Sequence, residues 1–506
     1  MSLKKNIIAN YASQLYVTLI GIIMVPTYIK YMGAEAYGLV GFFAMMQAWF
    51  QLLDMGLTPT MARETARFNG GATDALSLRR LLRLLEAFFI AVALAGAGAV
   101  SLGADSIAAH WLKVEALPLR EVELSIVLMG LIIALRWMGG LYRGAIAGFE
   151  RLVWLSAFNG VIATARFVLV IPYLIYAGAS PSSFFRYQLA VAVIELSVLV
   201  LQCYRLLPAK PLGPHGPWQW TPLRKVLGFS LSIAFTSAVW VLVTQIDKLV
   251  LSKLLSLSEY GFFTLAVLVA SGVGVISGPI SNALLPRLTR LSAQGDETAF
   301  LDLYRGATQF ITFIAVPAAL VLACFAEQVL WAWTGNAQLA SQAAPVLALY
   351  ALGNSALAIA AFPYYLQYAR GDLKLHLIGN VLFVTFLVPV LVWATLRYGS
   401  LGAGYAWLGT NVLYLLAFVP IVHRRFFAGL HAQWLWRDVL PIVLLSAFTV
   451  LALKALVVWP QERAWVAFTL AVLGMCVLLV TCAASPRIRS ALAANWPLRR
   501  ATQEHG

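Results

Sequence analysis

The sequence predicts an all-α polytopic membrane protein, and three observations lead to that fold class. Of its 506 residues, 61% are hydrophobic and only 11% are charged, whereas soluble domains carry roughly 25% charged residues. Apolar runs of about 20 residues, long enough to cross a hydrocarbon core, recur from end to end. The formal net charge of +15 resides in short basic loops between these runs, which is typical of membrane orientation rather than of nucleic-acid binding.

Hydropathy predicts about fourteen membrane-spanning helices. Because this number is even, both termini lie on the same side of the membrane, and the Lys/Arg bias of the loops assigns that side to the cytoplasm. The predicted spans are residues 7–29, 37–57, 81–103, 122–142, 153–177, 184–206, 226–251, 260–283, 305–327, 344–366, 375–396, 401–423, 438–459 and 464–484.

A proline-rich stretch at residues 207–225 is predicted to be a cytoplasmic linker, since its five prolines rule out a continuous helix. It separates a lobe of six helices at residues 1–206 from a second lobe of six at residues 226–423. Because six is even, both lobes start on the same side and are predicted to be parallel pseudo-repeats around a central cavity. An additional helix pair at 424–484 and a basic cytoplasmic tail at 485–506 follow.

Polar residues interrupt the leading helices of the first lobe. Gln47, Gln51 and Asp54 are spaced i, i+4 and i+7, which places them on one face of a helix. Gln14 belongs to a similar stripe on the first helix, and Arg63 follows the second helix in a basic loop. Because lipid offers polar groups no partners, these faces are predicted either to line a wet cavity or to form hydrogen bonds between helices.

Charged residues inside predicted spans are candidates for function. Arg166 and Glu195 lie at similar depths on adjacent helices and are predicted to form an ion pair, with a structural role or one in proton or substrate handling. Arg136 lies in the fourth helix, two turns before Arg143, where it either binds substrate or extends to the inner face.

Asp247 and Lys248 lie late in the seventh helix. They are predicted to form a local interfacial pair or one end of a gate. The sequence contains no GxxxxGK[ST] phosphate loop and no HExxH cluster, so no catalytic residue, metal or cofactor is predicted.

Three segments resemble a known family. LLDMGLTPTMARETAR (Leu52–Arg67), QIDKLVLSKLLSLSEYGFFTLA (Gln245–Ala266) and PISNALLPRLTRL (Pro279–Leu291) are similar to signatures of the bacterial polysaccharide transporters, the O-antigen or lipid-linked oligosaccharide flippases. That family belongs to a superfamily that also contains multidrug-and-toxin exporters and lipid II flippases. Two six-helix bundles enclose a central cavity in that superfamily, and the substrate crosses by alternating access.

The resemblance implies a flippase that moves a polyprenyl-diphosphate-linked oligosaccharide across the bacterial inner membrane, driven by an ion gradient of H⁺ or Na⁺. Other glycan-assembly proteins are potential partners. An anionic diphosphate requires fixed positive charge, and sugars require amide and hydroxyl partners. The candidate site residues are therefore Arg63, Arg136 and Arg143 for the head group, Gln14, Gln47 and Gln51 for the path, and Asp54, Asp247 and Lys248 for gating or coupling.

Two alternatives remain open at the level of sequence. A multidrug exporter or a lipid II-type flippase of the same superfamily has the same topology, although an exporter of cations favours acidic cavity residues over arginines. A membrane-embedded glycosyltransferase or polymerase needs a catalytic base or metal-binding carboxylates, usually on a sizeable loop, and no such loop is predicted.

Overall fold

The computed structural model describes residues 3–208, 221–275 and 277–485, together with Arg487 and Arg489. Side chains are described for residues 9–208, 237–274 and 284–485 and for the same two arginines. The predicted linker at 207–225 and the predicted tail at 485–506 therefore lie largely outside the described residues.

The described chain is helical almost throughout. Its α-helices are α1 (Leu3–Ile23), α2 (Val25–Met32), α3 (Ala34–Phe50), α4 (Leu57–Asn69), α5 (Ala75–Ser106), α6 (Leu119–Gly148), α7 (Leu152–Phe167), α8 (Val170–Ala177), α9 (Pro181–Leu206), α10 (Thr221–Leu254), α11 (Leu257–Val275), α12 (Ser277–Gln294), α13 (Glu297–Cys324), α14 (Ala326–Thr334), α15 (Ala337–Ala360), α16 (Phe362–Arg370), α17 (Lys374–Leu413), α18 (Val419–Phe426), α19 (Leu430–Gln433), α20 (Leu440–Leu456) and α21 (Arg463–Cys482). A 3₁₀ turn (Gln51–Asp54) and three π-helical segments (Ile107–Trp111, Tyr414–Phe418 and Trp434–Val439) join some of them.

The all-helical membrane fold class predicted from the sequence is confirmed. Within the described residues, twelve segments are long and apolar enough to cross a membrane. One of them, Lys374–Phe426, is 53 residues long and contains two predicted spans. The chain kinks there at Gly399, whose combination of φ 59° and ψ −139° is readily adopted only by glycine. The predicted span at 226–251 coincides with α10, so helices occupy every predicted position, while the number of crossings stays a prediction.

The described contacts divide the chain into two compact units, Met1–Gly261 and Phe262–Gly506. The first unit extends past the predicted linker, because α10 packs against α3, α4 and α5. The predicted lobe boundaries and the central cavity between the lobes stay predictions.

Helix α6 is the centre of the first unit. It packs against α4, α5 and α9, and it is the most enclosed of this unit's candidate spans. Phe89 of α5 stacks on Trp137 of α6 with ring centroids 4.3 Å apart, inside a core of leucine, alanine and aromatic side chains. A charged residue on the inner side of α6 is therefore surrounded by protein rather than by lipid.

Two of the candidate membrane-spanning helices, α5 and α13, begin with aspartate caps that lie before their apolar stretches. Asp74 accepts hydrogen bonds from the Ser77 hydroxyl at 2.6 Å and amide at 2.8 Å at the start of α5. These bonds stabilise the carboxylate, so the pKa of Asp74 is lowered from its ordinary value. The Ala299 amide in the same way lowers the pKa of Asp296, which caps α13.

A buried polar network attaches the last two helices of the second unit to α13. Asp438, which is completely buried, accepts from Arg305 Nε at 2.6 Å and Nη2 at 3.1 Å. Gln309 also donates to Asp438 and accepts from the Ser485 hydroxyl at 2.6 Å. Because Asp438 precedes α20 and Ser485 follows α21, this network fixes both ends of the predicted additional helix pair.

Candidate functional site

Three arginines of the first unit surround one glutamate within the membrane-spanning helices. Arg143 of α6 donates to Glu195 Oε1 on α9 and to Asn159 Oδ1 on α7. Arg136, seven residues earlier on α6, places its Nε 3.9 Å from Glu195 Oε2. The third arginine, Arg166, lies on α7 and interacts electrostatically with this group. We call these three arginines and Glu195 the arginine cluster.

Amide side chains connect the arginine cluster across three helices. Arg136 Nη2 donates to Gln188 Oε1 at 2.7 Å, and Gln188 Nε2 donates to the Arg166 carbonyl at 2.7 Å. The Arg136 guanidinium also lies over the ring of Phe43 on α3, 5.5 Å from its centroid. The Arg136 side chain is only 5% exposed and that of Glu195 only 7%. These charges are therefore held inside the protein by α3, α6, α7 and α9.

The arginine cluster has more positive charge than its own carboxylate neutralises. Among the residues that the structure describes, the only acidic side chain within 4.0 Å of these guanidinium groups is that of Glu195. In the same described part, Arg136 Nε and Nη1, Arg166 Nε and Glu195 Oε2 are buried without a hydrogen-bond partner. Uncompensated charge and unpaired donors are costly inside a membrane protein. Two excess cations with free N–H groups are suited to binding an anion.

The predicted ion pair of Arg166 with Glu195 is wrong. Glu195 pairs with Arg143 instead, while the Arg166 guanidinium lies over the ring of Phe167, 5.4 Å from its centroid. The reason is the central position of α6, whose long contact with α9 brings its arginines to Glu195. The spacing of Arg136 and Arg143 contained this information, since residues seven apart share one face of a helix.

The predicted stripe of Gln47, Gln51 and Asp54 crosses a change of helix type. Helix α3 ends at Phe50, a 3₁₀ turn covers Gln51–Asp54, and Met55 and Gly56 adopt left-handed conformations with φ of 47° and 72°. Because residues three apart eclipse in a 3₁₀ helix, Gln51 and Asp54 stay on one side, and a role of this stripe in lining a cavity stays a prediction. Gln47 is half-buried, whereas Gln14 on α1 and Gln51 are exposed.

Asp54 caps the first turn of α4. Its carboxylate accepts from the Thr58 amide at 3.2 Å and from the Thr58 hydroxyl at 2.5 Å. Arg63 lies on the exposed side of the same helix. The structure therefore gives Asp54 a local structural contact, while a role in gating or coupling stays a prediction.

Asp247 and Lys248 form a local pair on α10. Lys248 Nζ lies 3.2 Å from Asp247 Oδ1 and donates to the Thr244 carbonyl at 2.5 Å. Asp247 is only 2% exposed. This arrangement fits the local pair that the sequence suggested, and the gating role stays a prediction.

A second polar site in the first unit, at Glu35, was not predicted from the sequence. The Glu35 carboxylate accepts the backbone N–H groups of Glu115, Ala116 and Leu117 at 2.6 to 3.2 Å. The same segment pairs with the start of α11, where the Leu257 amide donates to the Lys113 carbonyl at 3.0 Å. The contacts are between carboxylate and backbone and leave no side-chain motif, so only the acidic residue at the start of α3 could have hinted at them.

Comparison with solved structures identifies the fold. The chain superposes on the lipid II flippase MurJ in an inward closed conformation with a TM-score of 0.70 and 13% identity, covering 94% of this chain and 97% of that one. It also superposes on an inward-facing multidrug resistance MATE family transporter of the MOP superfamily, with a TM-score of 0.67, 13% identity, and coverage of 83% and 96%. The chain therefore shares the fold of these two proteins.

Sequence comparison then identifies the family. A family model described as "Polysaccharide biosynthesis protein" matches residues 30–341, and the chain belongs to this family. A protein of Shigella flexneri with the name "Putative O-antigen transporter" is 20% identical over 409 residues, which cover 80% of this chain and 94% of the relative. The resemblance to polysaccharide transporters predicted from the three sequence segments is confirmed.

Proposed function

We propose that this protein is a flippase that moves a polyprenyl-diphosphate-linked oligosaccharide across the bacterial inner membrane, with both termini in the cytoplasm. The observation that carries the proposal is the excess positive charge of the arginine cluster within the spanning helices of a polysaccharide biosynthesis family member. The diphosphate is the anionic part of such a cargo, and arginine binds phosphate oxygens in a bidentate manner.

The arginine cluster also has the polar partners that a glycosylated head group needs. Asn159 and Gln188 hold Arg143 and Arg136 in place through hydrogen bonds, so the guanidinium groups are oriented before the cargo arrives. Gln14 and Gln51 are exposed and Gln47 is half-buried, which leaves their amides accessible to sugar hydroxyls. The polyprenyl tail stays in the lipid while the head group crosses by alternating access, with an H⁺ or Na⁺ gradient as the energy source.

The test is a flipping assay with purified protein in proteoliposomes and a fluorescent polyprenyl-diphosphate oligosaccharide. We expect Arg143→Gln to lower the initial rate at least about tenfold, because a lost charge-assisted hydrogen bond costs about 1.5–3 kcal/mol. Arg120→Gln is the matched control, since Arg120 is an exposed arginine at the start of the same helix, and its rate should stay unchanged.

Two outcomes would contradict the proposal. Equal flipping by wild type and Arg143→Gln would remove the arginine cluster from the transport path. Binding of cationic dyes in preference to polyprenyl-diphosphate sugars would favour a multidrug exporter, the function named for one of the structural neighbours.

A further inference from the structure

The arginine cluster contains its own anion, and the contacts of that anion are incomplete. Glu195 Oε1 is bonded to Arg143, but Oε2 has no hydrogen-bond partner among the described residues and lies 3.9 Å from Arg136 Nε. An ionised carboxylate has about four acceptor positions. Glu195 therefore uses few of its acceptors, although it is buried beside two guanidinium groups.

Glu195 is hydrogen-bonded to Arg143, which is the more accessible of its two neighbouring arginines. The side chain of Arg143 is 28% exposed, whereas that of Arg136 is 5% exposed. An anion that enters the arginine cluster reaches Arg143 first and meets Glu195 already bound to it. Phosphate groups offer more oxygens than a carboxylate and accept two parallel N–H groups from one guanidinium.

We propose that Glu195 is an internal competitor of the anionic cargo: it binds Arg143 in the empty transporter, is displaced by the incoming phosphate, and returns when the cargo leaves. This inference rests on the proposed function, because it takes a diphosphate as the anionic part of the cargo. Displacement moves Glu195 away from Arg143 but leaves it close to Arg136, so its charge stays partly neutralised.

Competition of this kind keeps the affinity for the cargo moderate. A site with three uncompensated arginines would bind a diphosphate so strongly that release became slow, whereas transport requires binding that is weak enough to reverse. A returning carboxylate replaces the departing phosphate at Arg143, which lowers the cost of release. Glu195 is thus a positioning residue for turnover rather than a residue that holds the cargo.

The experiment measures binding of inorganic pyrophosphate and farnesyl diphosphate to the purified full-length protein in detergent. Glu195→Gln keeps the shape of the side chain and removes its charge, so we expect binding to tighten about tenfold, equivalent to about 1.4 kcal/mol. Glu86→Gln is the matched control, because Glu86 accepts from Tyr204 of α9 at 2.9 Å but belongs to no ion pair among the described residues. Its affinity should equal that of wild type. Unchanged or weaker binding by Glu195→Gln would overturn the inference.

Kinetics and stability separate competition from a purely structural role. In the proteoliposome assay, Glu195→Gln should lower both the KM and the maximal flipping rate. Its melting temperature should fall, and pyrophosphate should raise it by more than in wild type, because the added anion replaces the missing one. A destabilised variant that pyrophosphate does not rescue would show that Glu195 only supports the fold.

A measurement on the wild-type protein covers the case in which Glu195→Gln does not fold. Hydrophobic carbodiimide labels accessible carboxyl groups in membrane proteins, and peptide mass spectrometry reports the labelled fraction of Glu195. Saturating pyrophosphate should increase this labelling, since it displaces Glu195 from Arg143, and protection of Glu195 would overturn the inference.

If wild type and Arg143→Gln both fail to bind either probe, the proposed function fails as well. If wild type binds the probes and Glu195→Gln binds them equally well, only the proposed role of Glu195 fails.

Discussion

Each unit of the molecule buries arginine against an acidic residue, and the two sites are built in opposite ways. In the second unit, one arginine meets one aspartate: Arg305 makes two hydrogen bonds to Asp438, and Gln309 adds a third. In the first unit, Arg136 and Arg143 both lie within 4.0 Å of Glu195, whose Oε2 has no hydrogen-bond partner in the described part of the chain. Arg166 adds a third positive charge that interacts with Glu195 electrostatically. We call the arginine cluster unsaturated, because its positive charge exceeds its negative charge and some of its buried polar atoms lack hydrogen bonds. We call the Asp438 site saturated, because its charges and its hydrogen bonds are both satisfied.

The difference indicates which buried charges belong to the fold and which belong to function. A buried pair is tolerated when geometry and additional hydrogen bonds compensate for the loss of hydration. Asp438 meets this condition and fastens the last two helices to α13. The arginine cluster does not meet it, and an intramembrane charge without compensation is a candidate for ligand binding. Breaking the Asp438 pair should therefore mainly lower stability, whereas removing an arginine of the arginine cluster should mainly lower transport.

The largest expected effect is on stability in the second unit. Asp438→Asn leaves Arg305 as an unpaired buried charge, and breaking a buried pair from one side costs about 3–5 kcal/mol. We expect a large fall in melting temperature, measured by fluorescence-detected size-exclusion chromatography after heating. The control is Asp302→Asn, which removes the partner of Arg487 from an exposed pair whose aspartate is 72% accessible. Exposed pairs contribute about 0–1 kcal/mol. Equal stability of the two variants would contradict the saturated character of the Asp438 site.

An intermediate effect is expected at Asp54, which the sequence suggested for gating and which the structure shows capping α4. Loss of a cap costs about 1 kcal/mol. Asp54→Ala should therefore unfold at a slightly lower denaturant concentration, whereas Asp54→Asn keeps an acceptor for Thr58 and should match wild type. Flipping separates the roles: if Asp54→Asn folds normally but does not transport, the carboxylate charge is needed for coupling, and capping alone does not explain Asp54.

Much of the fold could be predicted from the sequence because hydropathy alone marks helices that must satisfy their backbone within lipid. The position of Arg136 and Arg143 on one face of α6 was also readable from their spacing of seven residues. Which helix packs next to that face was not readable, because periodicity describes one helix at a time. The pairing of Arg166 with Glu195 was therefore wrong, although both residues do belong near the same cluster.

The stripe of Gln47, Gln51 and Asp54 shows a different limit of reasoning from periodicity. The spacing did not reveal that the α-helix ends at Phe50 and that a 3₁₀ turn continues to Asp54. The signal for the break before α4 was present in Gly56, since glycine readily adopts the left-handed conformation found there. Backbone contacts such as those of Glu35 with residues 115–117 carry no sequence signal of their own and require coordinates.

The smallest effect on stability is expected at Arg166, and it tests the comparison most directly. Arg166→Gln removes a guanidinium that has no carboxylate within ion-pair distance among the described residues and that lies over Phe167. The lost cation–π contact costs roughly 0.5–1 kcal/mol, but the substitution also relieves repulsion from Arg136 and Arg143. Because the two contributions oppose each other, the net change in the free energy of unfolding should stay below about 1 kcal/mol. Flipping should nevertheless fall, since one of the charges that attracts the anion is gone. A loss of stability as large as that of Asp438→Asn would mean that Arg166 is paired as firmly as Arg305, and the distinction between a saturated and an unsaturated site would not hold.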